Sequence, residues 1–210
     1  MRRTVIITIV FLGLVQFALA QNTIASIRQA YQNQKETIAL MSDDFPSEGI
    51  PPEYYHLHVV QNLPGTGGHH ENVRFYYGEV STEEDEIYPP HYLTFVSSKY
   101  NYAAREFYEE YLYDDKGRVM FIYARTPDVD FPKMHELRLY FDGDRLLRLN
   151  VKVADDLNSF EDKAVSTASF KDVYIGTTIP EQYKEACSQY KSSARRYLEM
   201  FKAIDGNTYL

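Results

Sequence analysis

From Tyr54 to Val153 the chain is a succession of short runs rich in Tyr, Phe, Val and Leu, broken at short intervals by glycine, proline or acidic clusters. β-Branched and aromatic residues fit a pleated, half-buried surface, and the breakers between them fit tight turns. The runs predict antiparallel strands near 54–62, 72–80, 91–99, 105–113, 118–125, 135–141 and 145–153. A block of this kind leaves little freedom in fold class, because hairpin-linked strands must lie side by side and bury one face.

Two hairpins fix expectations of register. In Tyr113-Asp114-Asp115-Lys116-Gly117-Arg118, a loop of Asp115, Lys116 and Gly117 lets Gly117 take a left-handed conformation. That loop pairs Tyr113 with Val119 and Tyr111 with Phe121. Further on, Leu137, Leu139 and Phe141 alternate with Glu136, Arg138 and Tyr140, and Leu147, Leu149, Val151 and Val153 alternate with Arg148, Asn150 and Lys152. The apolar faces match with Leu139 opposite Leu147, which requires an odd loop through Asp142-Gly143-Asp144 or a bulge; the odd loop is the reading adopted. Clean alternation implies that one face of these last strands is solvated.

Helical spacing flanks the strand block. Ile24, Ile27, Tyr31, Ile38 and Met41 predict a helix over about 23 to 42, with Asn22 at its N-terminus. Pro46, Gly49, Pro51 and Pro52 make the following stretch a connector. Near the C-terminus, Tyr183, Cys187, Tyr190, Ala194, Tyr197, Leu198, Phe201 and Ile204 recur at steps of three and four, predicting an amphipathic helix that ends near Gly206. Its start is either a Thr178 to Glu181 capping box or Pro180 in the first turn. Residues 154–178 carry no sustained period, and a short helix or an irregular crossing both fit. The expected fold class is α+β: an antiparallel sheet of about six or seven strands with the N- and C-terminal helices packed on one face.

The N-terminus reads as an export signal. Arg2 and Arg3 precede the apolar stretch Val5 to Leu19, and Ala18-Leu19-Ala20 is a small-x-small cleavage site. Residues 1–20 are therefore expected to be a signal peptide and 21–210 a single domain, periplasmic or secreted, with no stable membrane insertion after cleavage. Cleavage moves the formal net charge from −8 to about −10, which argues against nucleic acid as a partner. Cys187 is the one cysteine, so no intramolecular disulfide forms even in an oxidising compartment. The Ala20-Gln21 junction, the turn Tyr111-Leu112-Tyr113-Asp114-Asp115-Lys116-Gly117-Arg118 and the run Tyr140-Phe141-Asp142-Gly143 together resemble uncharacterised exported proteins of Bacteroidetes-type bacteria. That resemblance implies a compartment and brings no active site with it.

Chemistry is sparse. His56 and His58 share a face of their strand, and with His69, His70 or Glu71 from the glycine-rich segment behind Leu63 they compose a candidate metal site; the alternative is that His56 and His58 line a solvated strand face. The segment Leu63-Pro64-Gly65-Thr66-Gly67-Gly68 lacks the spacing of a phosphate-binding loop. Glu83-Glu84-Asp85-Glu86 reads as a solvated acidic loop rather than a calcium site. There is no Gly-x-Ser-x-Gly elbow, and Cys187 sits on the apolar face of the last helix, where a buried thiol is inert. With 19 Tyr, 12 Phe and no Trp, the chain offers rigid amphipathic rings instead, and Tyr76, Tyr77, Tyr88, Tyr92, Tyr100 and Tyr102 bracket loops and strand ends as candidate ligand-binding residues. The expected function is an exported, non-catalytic binding or interaction protein of the cell envelope, taking a protein or glycan ligand on the uncovered face or rim of the sheet and needing no cofactor. A metal-dependent envelope hydrolase built on the histidines is the alternative.

Overall fold

The computed structural model describes residues 23–41, 53–80, 89–128, 134–154, 171–175 and 178–206. Residues 1–20, expected to be a signal peptide, Asn22, the proline-rich connector, the acidic run Glu83 to Glu86, Tyr88 and most of 154–178 lie outside the described residues. Two compact units divide the chain, Met1–Ala39 and Leu40–Leu210. In the first, helix α1 spans 23–40, buries Ile24 and Ile27, and carries polar pairs one turn apart, Gln29 to Asn33 at 2.8 Å and Gln32 to Glu36 at 3.0 Å. No helix among the described residues is long and apolar enough to cross a membrane.

The second unit is an eight-stranded antiparallel sheet in which space follows sequence: β1 (Tyr54–Leu63), β2 (Gly67–Glu79), β3 (His91–Tyr102), β4 (Arg105–Tyr113), β5 (Val119–Pro127), β6 (Met134–Asp142), β7 (Arg145–Ala154) and β8 (Lys171–Ile175), with each strand beside its predecessor. Helix α2 (Glu181–Asp205) lies across one face of this sheet, giving the α+β class expected. β8 is an eighth strand taken from the aperiodic stretch; five residues are too few to show a period.

Pairing sorts the side chains into two faces. On the α2 side, Val73, Phe75, Val96, Tyr111, Ile122, Leu139 and Leu149 are completely buried beneath Cys187, Ala194, Tyr197 and Phe201 of the helix. Burial of an aromatic or large aliphatic side chain stabilises by about 1.5–3 kcal/mol, so this layer is the main anchor of α2. The helix begins after Pro180, which has no side-chain hydrogen bond to offer the first turn, so the capping box is not used. Its end closes with the Gly206 N–H donating to the Lys202 carbonyl at 3.0 Å.

Across the opposite face runs a straight row of cross-strand neighbours: Tyr54, Tyr76, Phe95, Leu112, Phe121 and Tyr140. From Tyr76 to Tyr140 these side chains are buried, as are Glu110, Glu136 and Asn150 on the same face. The face expected to be solvated along β6 and β7 is therefore a second buried layer. Its charges are tolerated because they are paired: Glu136 meets Lys152 at 2.9 Å and Arg125 at 3.4 Å.

Bulges correct both hairpin registers. The loop Asp115-Lys116-Gly117 forms as expected, with Gly117 at φ +72° and Tyr113 opposite Val119. A shift between Leu112 and Tyr113 then places Tyr111 opposite Ile122, and Phe121 pairs with Leu112 on the other face. In the second hairpin, Asp142 pairs directly with Arg145 through a two-residue turn, and a bulge between Tyr140 and Phe141 restores the apolar match, so that Leu139 faces Leu149 and Phe141 faces Leu146. The extra residue sits inside the strand rather than in the loop.

Candidate functional site

The sheet separates the five residues of the candidate metal site. His69, His70 and Glu71 lie in β2, not in a loop, because that strand begins at Gly67. His70 pairs with Val60, and Asn72 with His58, which puts His56, His58 and His70 on the face away from α2. There they form an exposed ladder of near-parallel rings, with centroids 6.5 Å apart for His56 and His58 and 6.1 Å for His58 and His70. His56 Nε2 donates to Asn72 Oδ1 at 3.3 Å. His69 and Glu71 point to the α2 side, where His69 Nδ1 donates to the Asn101 carbonyl at 2.5 Å and Glu71 Oε1 accepts from the Tyr197 hydroxyl at 3.4 Å. Among the described residues no group of three or more His, Cys, Asp or Glu side chains converges as a metal site.

The tyrosines are dispersed in the same way. Tyr76 belongs to the buried row on the outer face, and Tyr92 packs beside Gly78. Tyr77 lies on the α2 side against Tyr55, Phe201 and His91, its centroid 4.4 Å from the His91 ring. Tyr100 stacks on Phe107 at 4.9 Å and donates to Glu109 Oε1 at 2.8 Å. Tyr102 alone of the five described is largely exposed. Most of these rings spend their polar tips on buried acceptors or their faces on other rings, which is structural work.

Two polar clusters under α2, one buried and one half-buried, escape sequence reading. Glu109 is buried between the hydroxyls of Tyr100 and Tyr111, both of which donate to it. Burial raises its carboxyl above the ordinary value, against the opposing pull of the two phenols and of Arg196. Burial likewise holds the Tyr111, Tyr113 and Tyr197 phenols above their usual range. At the far end of the helix, Asp205 Oδ1 accepts from His91 Nδ1 at 2.7 Å and from the Tyr55 hydroxyl at 2.9 Å. The Asp205 cluster joins residues more than a hundred positions apart, whereas the phenols on Glu109 come from its own and the neighbouring strand and only Arg196 is distant. Cys187 is buried, and burial pushes its thiol up to about 11.

A pocket of about 480 Å³ opens where the β4–β5 and β6–β7 turns meet the middle of α2. Its floor is Tyr113, Val119, Ala194 and Leu198. The Tyr113 hydroxyl donates to the Ala194 carbonyl at 2.7 Å, locking strand to helix and leaving the ring as apolar surface. Gly117 must be glycine here: it is left-handed, and a Cβ would stand 3.1 Å from Leu198 Cδ2. Gly143, also left-handed, has nothing within 4 Å of where its Cβ would be, so that wall is open. The rim carries Arg118, Lys191 and Arg195 against the single carboxylate of Asp144. Arg118 grips Asp114 at 2.7 Å, and Lys191 holds both the Asp144 carboxylate at 2.6 Å and its carbonyl at 2.9 Å. The hydrogen bond and charge of Lys191, with a smaller contribution from the charge of Arg195, lower the Asp144 carboxyl. The Arg195 guanidinium makes no hydrogen bond or ion pair among the described residues. Lys191, Ala194, Arg195 and Leu198 follow one another at the three- and four-residue steps of one helix face, and the like-charged pair bordering an apolar stripe is the sequence signal that points to this place.

Comparison of the chain with protein-family models, with curated proteins and with solved structures gives no match.

Proposed function

We propose that this chain is an exported, non-catalytic binding protein of the cell envelope, in keeping with the exported proteins its turns resemble, and that the pocket at the rim of the sheet is where it binds. The observation carrying this reading is the 480 Å³ pocket itself, whose size falls within the roughly 300–1,000 Å³ of small-molecule sites. Its lining sets an apolar floor beneath three cations and the Asp144 carboxylate, which Lys191 holds in its charged form, groups suited to holding a ligand rather than to moving protons at neutral pH. The ligand is then a small molecule rather than the protein or glycan suggested by dispersed tyrosines. The histidine-based hydrolase gains no support from imidazoles divided between two faces.

Native mass spectrometry of the protein isolated from the envelope of its source cells tests both halves of the reading. The expected result is a chain beginning at Gln21 that carries a small molecule, with the Val119→Trp variant, whose indole fills the floor, carrying none. A chain retaining Met1 in the cytosolic fraction would refute export, and equal occupancy in the two proteins would move the site elsewhere.

A further inference from the structure

The composition of the rim narrows the ligand further, taking the pocket to be the binding site as above. The whole chain carries a formal charge of −8, so an arbitrary patch of its surface is expected to be acidic. The pocket breaks that expectation with three cationic side chains and one carboxylate. Two of those cations are already engaged, Arg118 by Asp114 from outside the lining and Lys191 by Asp144. Arg195 is different: it is exposed and turned to the same helix face as Lys191, and it acts on Asp144 only through its charge, without the contact ion pair that Lys191 makes. Like charges at i and i+4 repel on a helix face, and Lys191 with Arg195 sets such a pair at the mouth of an apolar cavity. A guanidinium presents a planar fork of donors matched to carboxylate, sulfonate or phosphate oxygens.

We infer that the pocket takes a small amphipathic anion: an organic acid whose anionic head is bound at the Arg195 guanidinium and whose apolar body lies on Tyr113, Val119, Ala194 and Leu198. The open space at Gly143 leaves room for the body on the turn side. Attraction adds to apolar contact here, so removal of either the head or the fork weakens binding without emptying the cavity.

Fluorescence titration with anilinonaphthalene sulfonate, an aromatic sulfonate, and with phenylnaphthylamine, its uncharged counterpart, tests the inference on the folded protein. The sulfonate is expected to saturate at one site per chain and to bind at least tenfold more tightly than the amine. Arg195→Ala is expected to cost the sulfonate at least tenfold and the amine less than twofold, and added salt is expected to weaken the sulfonate alone. Arg195 is exposed, so its replacement leaves the core intact, and circular dichroism checks the fold of each variant. Equal affinities for the two probes, both unmoved by Arg195→Ala yet both lost in Val119→Trp, would overturn the anion inference while leaving the binding pocket standing. Failure of both probes, or binding unmoved by Val119→Trp, would remove the pocket reading and the inference together. Leu198→Trp supplies the same blockade should Val119→Trp not fold.

Discussion

At the scale of single residues, Glu109 and Cys187 are both governed by burial, with opposite visibility. The raised Glu109 carboxyl binds its proton more tightly in the folded chain than in the unfolded one, so folding gains from acid. That contribution is complete below the ordinary value of 4.5 and is lost as pH rises through the folded value. Glu109→Gln removes it while keeping an acceptor for Tyr100 or Tyr111. Urea midpoints measured from about pH 4.5 to about pH 8 should show the variant improving relative to the parent as pH rises; a constant difference would mean that Glu109 titrates normally, whatever Glu71 and Arg196 contribute beside it. For Cys187, a thiol at about 11 is almost wholly protonated near neutrality. Iodoacetamide at about pH 8 should label it only after denaturation, and rapid labelling of the native chain would contradict its burial. The inert cysteine is legible in the sequence, since its helix position shows the apolar face. Glu109 is not: Tyr111 stands two positions away, but the pairing that brings Tyr100 to the same carboxylate and the packing that buries that carboxylate leave no mark beside it in sequence.

At the scale of elements, α2 is fastened at three levels: by Tyr197 and Phe201 in the core, by the Tyr113 hydroxyl at Ala194, and by Asp205 at the end. A carboxylate in the last turn opposes the helix dipole, so Asp205 is held there by its donors His91 and Tyr55. Asp205→Ala should abolish amide protection over the final turn, from Lys202 to Gly206, and leave protection around Ala194 unchanged; uniform loosening along α2 would show that the tie serves the whole helix. The same element shows what periodicity does and does not convey. The stripe from Tyr183 to Ile204 specifies the helix and its buried face, because a period of 3.6 is a property of local sequence. Strand pairing is a property of two segments at once. The bulges at Leu112/Tyr113 and Tyr140/Phe141 leave no mark in alternation, which is why hairpin positions were legible and two registers were not. The pocket fell between these cases: its cations are visible on the helix, but the turns that make them a rim meet the helix only in three dimensions.

At the scale of the whole molecule, stability is graded across the sheet. Val96, Tyr111, Ile122 and Leu139 in β3 to β6 are completely buried, whereas β1 leaves His56, His58, Val60, Gln61 and Asn62 exposed and β8 is five residues long. Hydrogen exchange should therefore be slowest in β3 to β6 and fastest in β1 and β8, and an edge strand as protected as the centre would show that the sheet opens as one unit. Compositional reading anticipated the class and nearly all the strands because each is separately patterned, and missed β8 because a short edge strand needs little pattern of its own.

The unbroken correspondence between strand order and chain order has a consequence for how the protein comes into being. Polypeptides emerge N-terminus first, and here every described strand from β2 onward pairs with the described strand that precedes it in the chain, already outside the ribosome. Among the eight described strands no pairing has to wait for a later strand to be inserted, and none must be threaded between two others. The sheet can grow by accretion at one edge while α2, the last described element to appear, arrives when the surface it covers is complete.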